Sequence, residues 1–160
     1  MSVNLISNFS FENGVVGWNR SGTVGPVAGP FAFQLFIVAS LGAILQLDDA
    51  VLSQLVKVPE GATHFHVVYS VRPFIADLGN LQVQVEFRGS ANQDPPLPLR
   101  RRDIIDVIDE NALDLSWQTR YAVTGEIPPD TEWARLRFVR PGSEVPGGSL
   151  FIDAVYMTTD

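Results

Sequence analysis

The residues that could do chemistry are few, and their spacing points away from catalysis. His64 and His66 stand two apart, so on a strand both face the same way and could begin a metal site, but no third ligand accompanies them. Asp48 with Asp49 and Asp109 with Glu110 are adjacent acidic pairs. Adjacency does not place one carboxyl on each side of a substrate, as glycoside hydrolysis requires. The chain has no cysteine, which removes disulfides, thiolate zinc sites and thiol nucleophiles. No Gly-x-Ser-x-Gly, phosphate loop or metalloprotease helix occurs. With two histidines in all, a serine triad has little to draw on. The expectation is a protein that is not an enzyme, with its histidines turned to solvent.

Sugar recognition needs different chemistry: an aromatic platform flanked by planar polar side chains. Three stretches place such groups. "HFHVVYSVR" sets Phe65, Val67, Tyr69 and Val71 against His64, His66, Ser70 and Arg72. "NLQVQVEFR" sets Leu81, Val83, Val85 and Phe87 against Gln82, Gln84, Glu86 and Arg88. "EWARLRFVR" sets Ala134, Leu136 and Phe138 against Trp133, Arg135 and Arg137. Period-two alternation is the mark of strands with one buried and one wet face. The candidate carbohydrate residues are therefore Arg72, Gln82, Gln84 and Trp133, with Glu86 and Arg88 on the same polar face. Trp18 and Trp117 are expected in the core.

The elements that must carry these residues are strands. Turn signals such as "VPEGATH" and "IPPDTEW" separate the apolar runs. The pattern predicts an all-β, antiparallel sandwich of jelly-roll type. "GSANQDPPLPLRRRD" reads as a long Pro-rich loop whose arginines, Arg100–Arg102, are solvated; "IIDVIDENALDL" after it has equivocal spacing and could form a short helix. No linker or internal repeat appears, so residues 1–160 form one domain, long enough to bury a core without staples. No apolar run approaches the roughly 18 residues of a membrane-spanning helix. A net charge of −7 argues against nucleic acid and anionic membrane as partners.

One segment is apolar on both faces. In "PFAFQLFIVASLGAILQL", Phe31, Phe33, Leu35 and Ile37 alternate with Ala32, Phe36 and Val38. Such a strand is either central to the sheet or covered by another subunit. On the second reading Phe31, Phe33, Phe36 and Val38 form a self-association surface.

The two ends of the chain carry a resemblance. "NLISNFSFENGVVGW", with Asn4, Leu5, Asn8, Phe11, Glu12, Gly14 and Trp18, resembles the opening of the galactose-binding-like jelly rolls, which include several carbohydrate-binding modules. "LSQLVKVPEGATHFHVVYSVR", "WQTRYAVTGEIPPDTEWARLRF" and the closing "LFIDAVYM" are similar to later parts of the same pattern. A nearer likeness is to the modules without a signal peptide at the start of spore-surface proteins of spore-forming bacteria. The resemblance implies that the first and last strands lie side by side, bringing Glu12 and Asp153 together at an edge where related modules often hold a structural calcium. Asp153-Ala154 stands where many relatives have an Asp doublet, one ligand fewer.

The start "MSVNLIS" lacks the layout of a secretion signal. Two functions are therefore expected. The first is a non-catalytic structural module on a cell or spore surface, reached without a signal peptide, that assembles with other copies of itself, as a filament if contacts run head to tail. The alternative is a carbohydrate-binding module for a surface polysaccharide.

Overall fold

The computed structural model describes residues 3–28, 37–41, 48–73, 80–109, 115–142 and 149–160. They form ten strands: β1 (Asn19–Ser21), β2 (Val24–Ala28), β3 (Ile37–Leu41), β4 (Ala50–Lys57), β5 (Phe65–Pro73), β6 (Leu81–Arg88), β7 (Leu99–Ile108), β8 (Gln118–Val123), β9 (Trp133–Arg140) and β10 (Leu150–Thr159). Two five-stranded antiparallel sheets face each other. The first has the order β1-β4-β9-β6-β7 and the second β2-β3-β10-β5-β8. This is the expected jelly-roll sandwich, and no helix occurs among the described residues.

The predicted alternation is what fills the core. Phe65, Val67, Tyr69 and Val71 from β5 meet Leu81, Val83, Val85 and Phe87 from β6 and Leu136 and Phe138 from β9, all fully buried. Each such large apolar side chain is worth about 1.5–3 kcal/mol when removed from water. Tyr69 packs edge-on against Phe138 with ring centres 5.2 Å apart. β3 runs between β2 and β10, so Ile37–Leu41 is a central strand. The rest of the apolar segment, with Phe31, Phe33 and Phe36, lies outside the described residues, as does the side chain of Val38.

The charged stretch at Arg100–Arg102 differs from expectation. It is not a loop but the first half of β7, and the residues after it continue the strand to Ile108 rather than forming a helix. Two bulges in the β6–β7 pairing, at Val83/Gln84 and Phe87/Arg88, break the register that alternation relies on.

The opening segment lies against β10, although as irregular chain rather than as a strand. Leu5 N donates to Met157 O (2.8 Å), Met157 N to Asn4 Oδ1 (2.9 Å) and Val155 N to Phe9 O (2.9 Å). Gln54 of β4 brackets Ser7, accepting from its N (2.8 Å) and donating to its O (3.1 Å). The segment thus ties β10 of the second sheet to β4 of the first. Asn8 then organises the following turn, with its amide on Gly14 O (2.9 Å) and Val16 O (3.0 Å) and its carbonyl accepting from Trp18 Nε1 (3.3 Å). Phe11 and Trp18 stack into the core with centres 5.2 Å apart. The motif residues Asn8, Phe11, Gly14 and Trp18 are a structural latch. At Gly22, in the β1–β2 turn, φ is +66° and a Cβ would fall 2.2 Å from Asp49 O, so only glycine fits.

The opposite side is closed by a polar clasp. Tyr69 on β5 donates to Asp106 Oδ2 on β7 (2.8 Å), and Arg120 on β8 grips both oxygens of the same carboxylate (2.9 and 2.8 Å). Burial opposes the charge on Asp106, but the hydrogen bonds from Arg120 and Tyr69 outweigh it and hold its pKa below the ordinary value. Tyr69→Phe leaves the ring packing and removes one donor to a charged acceptor. The expected loss is about 1–2 kcal/mol, read as a lower urea midpoint with unchanged slope.

Candidate functional site

The outer face of the first sheet carries an ordered grid of polar side chains. Register fixes the rows. Lys57, Trp133, Arg88 and Leu99 lie across β4, β9, β6 and β7; the next row is Leu55, Arg135, Glu86 and Arg102; then Ser53, Arg137, Gln84 and Ile104. Cross-strand neighbours stand about 4.5–5.5 Å apart, within reach of every long side chain here.

Glu86 is the centre of the grid. It points outward yet is only 2% exposed, because four arginines close over it. Oε1 accepts from Arg102 Nε (3.1 Å), Arg102 Nη2 (2.6 Å) and Arg137 Nη1 (2.8 Å). Oε2 accepts from Arg88 Nε (3.0 Å) and Nη2, with Arg135 Nη1 at 3.9 Å. Burial disfavours the carboxylate, but the hydrogen bonds from Arg88 and Arg102 and the charge of Arg137 reverse this, so its pKa is lowered. The arginine side pays less evenly: Arg135 Nε is buried without a hydrogen-bond partner, and burial together with the charge of Arg88 lowers its pKa.

A cleft of about 360 Å³ opens over this cluster. Among the described residues its wall holds Arg20, Arg88, Arg102, Arg135 and Arg137 against one carboxylate, Glu86, with Asn19, Ser21 and Ser53 along one side. Half of the chain's ten arginines therefore line one cleft on a protein of net charge −7. A second cleft, between loops 57–62 and 127–132, has Lys57 against Glu60, Asp130 and Glu132 and shows no such convergence.

The structure brings Gln82, Gln84 and Trp133 onto this face. Gln84 is largely buried, bridging Gln82 Oε1 (2.9 Å) and Arg137 Nη1 (3.0 Å). Trp133 is half-buried, one side-chain step from Arg135, about 7 Å along the strand. Arg72 is not with them. It lies on β5 in the other sheet, with its Nε on Leu115 O (2.7 Å), because alternation shows which face of a strand is wet but not which sheet the strand joins. Arg20 and Arg102 belong to the cleft and were not singled out from sequence. The one signal for Arg102 was its place in an arginine triplet.

His64 and His66 face outward on the second sheet, paired with Asp160 (3.0 Å) and Tyr121 (2.7 Å). Glu12 is half-buried in the latch loop, and Asp153 is fully buried at the β10 bulge, where Ala154 N donates to its Oδ1 (2.7 Å). No group of three or more His, Cys, Asp or Glu gathers among the described residues. A calcium ion between Glu12 and Asp153 would thus draw most of its six to eight oxygens from backbone carbonyls.

No family model matches the chain, and no curated protein matches it in sequence. Solved structures share its fold. A tailspike protein 4 enzymatically active domain of Bacteriophage CBA120 superposes with a TM-score of 0.73 at 16% identity over 99% of this chain, which spans only 22% of the tailspike chain. TmCBM61, solved with β-1,4-galactotriose, gives 0.63 at 19% identity, covering 99% of this chain and 100% of that one. The CBM22-1 xylan-binding domain from Paenibacillus barcinonensis Xyn10C gives 0.63 at 16% identity, covering 99% and 95%. A Fischerella cyclase matches over 98% of its own chain, and an arabinofuranosidase over 26% of its chain. The architecture is a jelly-roll β-sandwich, the fold it shares with these carbohydrate-binding modules.

Glu86→Gln leaves four guanidiniums without their counter-charge. The expected cost is about 3 kcal/mol at neutral pH. Because the folded pKa of Glu86 is depressed, its contribution is complete above the usual carboxylate pKa of about 4.3 and is lost as pH falls through the folded value. In denaturant titrations the gap between the two proteins should narrow below about pH 4.

Proposed function

We propose that the chain is a non-catalytic polysaccharide-binding module that works through the outer face of its first sheet. The observation that carries this reading is the cleft over Glu86, where guanidiniums, hydroxyls and an amide converge beside Trp133. Sugars present rims of hydroxyls and apolar ring faces. Planar guanidiniums can bond the first, and an indole can stack on the second. The shared fold with a galactotriose-bound module and a xylan-binding domain supports the reading without deciding the ligand.

The same geometry argues against hydrolysis in the cleft. A glycosidase needs two carboxyl groups, one with a raised pKa. Among the described residues Glu86 is the only carboxylate lining the cleft, and its pKa is lowered. The cell- or spore-surface setting implied by the sequence resemblance belongs to this proposal, as the place where such a polysaccharide is met. A structural calcium near Glu12 and Asp153 is a separate part of it: adding calcium should raise Tm and a chelator reverse the gain, and an unchanged Tm would remove the ion.

Titrating soluble polysaccharides while following tryptophan fluorescence tests the central reading. A saturable shift is expected, and Trp133→Ala should weaken binding by about tenfold or more. Full affinity in the Trp133→Ala protein would contradict the placement of the site.

A further inference from the structure

The cleft carries more positive charge than its own carboxylate can use. Four arginines converge over Glu86 alone, so three positive charges are in excess, and Arg20 stands at the rim. Glu86 is already saturated: each oxygen accepts at least two N–H groups, from Arg102 and Arg137 on one side and Arg88 on the other. Among the described residues Arg135 has only the distant 3.9 Å contact with Glu86, and its Nε has no hydrogen-bond partner. Arg20, on β1, makes one long hydrogen bond to Val24 O (3.5 Å) at the rim. The excess is local, because the protein as a whole is acidic at −7. Like charges held this close repel one another, so an incoming anion would relieve the cluster as well as bind to it.

The cleft also displays the chemistry it would offer. Arg102 and Arg88 each address a Glu86 oxygen through Nε and Nη2, the planar fork that fits carboxylates and similar oxyanions. Its volume, about 360 Å³, falls within the roughly 300–1,000 Å³ of ligand pockets. Asn19, Ser21 and Ser53 supply neutral hydrogen-bonding groups for hydroxyls on one flank.

Building on the proposed polysaccharide-binding role, we infer that the ligand is an anionic polysaccharide, whose uronate carboxylates or sulfate esters enter the cleft over Glu86 and meet Arg135 and Arg137. Neutral sugars would leave the excess charge uncompensated. The rest of the acidic surface repels polyanions, which confines binding to this face and makes it sensitive to salt.

The test is affinity electrophoresis of the full chain with polygalacturonate, the same polymer fully methyl-esterified, xylan, dextran sulfate and poly-L-glutamate. Runs at about 50 and about 500 mM NaCl lie on either side of physiological screening. Binding to polygalacturonate or dextran sulfate is expected, with a loss of about tenfold or more at the higher salt. The tighter of the two identifies carboxylate or sulfate as the anion. Arg135→Gln and Arg137→Gln should each weaken binding by about tenfold. Arg135 lies 3.9 Å from Glu86 and makes no hydrogen bond to it, so that variant removes charge with the least disturbance of the cluster. Arg100→Gln, the same charge change outside the cleft, should leave affinity within about twofold.

Equal binding of the methyl-esterified polymer or xylan, indifferent to salt, would overturn the anionic ligand while leaving polysaccharide binding intact. Poly-L-glutamate bound as tightly as the acidic glycans would also overturn it, since charge alone would then suffice. Unchanged affinity in both arginine variants would move the site elsewhere. No binding to any polysaccharide would sink this inference and the broader role together.

Discussion

The outer face of the first sheet depends on one carboxylate lying beneath four guanidiniums. Arg88, Arg102, Arg135 and Arg137 come from three adjacent strands, and register alone brings them to within a few ångströms of each other. Bare, such a cluster would push β6, β7 and β9 apart. Glu86 accepts from three of them and lies 3.9 Å from the fourth, and their aliphatic stems in turn shield it from water. The result is a positive cleft that the fold can tolerate because its floor is negative. A buried ion cluster of this kind adds little net stability compared with an apolar patch, so stability alone does not account for it.

The rest of the sandwich keeps that face free. Its two ends of closure are elsewhere: the N-terminal latch, where Asn4, Ser7 and Asn8 bond to β10, Gln54 and their own loop, and the clasp of Tyr69, Asp106 and Arg120 between β5, β7 and β8. Both join one sheet to the other with polar groups at the margins, and the apolar interior between them is continuous. Ser53, Glu86, Arg88, Arg135 and Arg137 are mounted on the central strands β4, β6 and β9, whose inward faces are locked by packing, and the edge strands β1 and β7 add the flanks.

Much of this was legible in the chain. Alternation in "NLQVQVEFR" and "EWARLRFVR" marked β6 and β9, their inward apolar residues, and Gln82, Gln84 and Trp133 on the wet face. The opening motif marked the fold, and Asn8, Phe11 and Trp18 of that motif latch the structure. Three features were hidden for physical reasons. β7 is an edge strand with charge on both faces and two bulges, so it shows no period-two signal. Arg72 shares its strand pattern with the site but lies on the other sheet, a matter of pairing that alternation does not encode. The convergence on Glu86 depends on cross-strand register between β6, β7 and β9, residues up to 51 positions apart along the chain.

The most direct measurement is a titration of the protein with short oligogalacturonates, followed through the arginine side-chain Nε–H signals by nuclear magnetic resonance. Shifts that saturate together at Arg88, Arg102, Arg135 and Arg137, with Arg72 and Arg120 unmoved, are the result expected here. Shifts confined to Arg72 or the loops at 57–62 and 127–132, with the four arginines over Glu86 silent, would contradict the account.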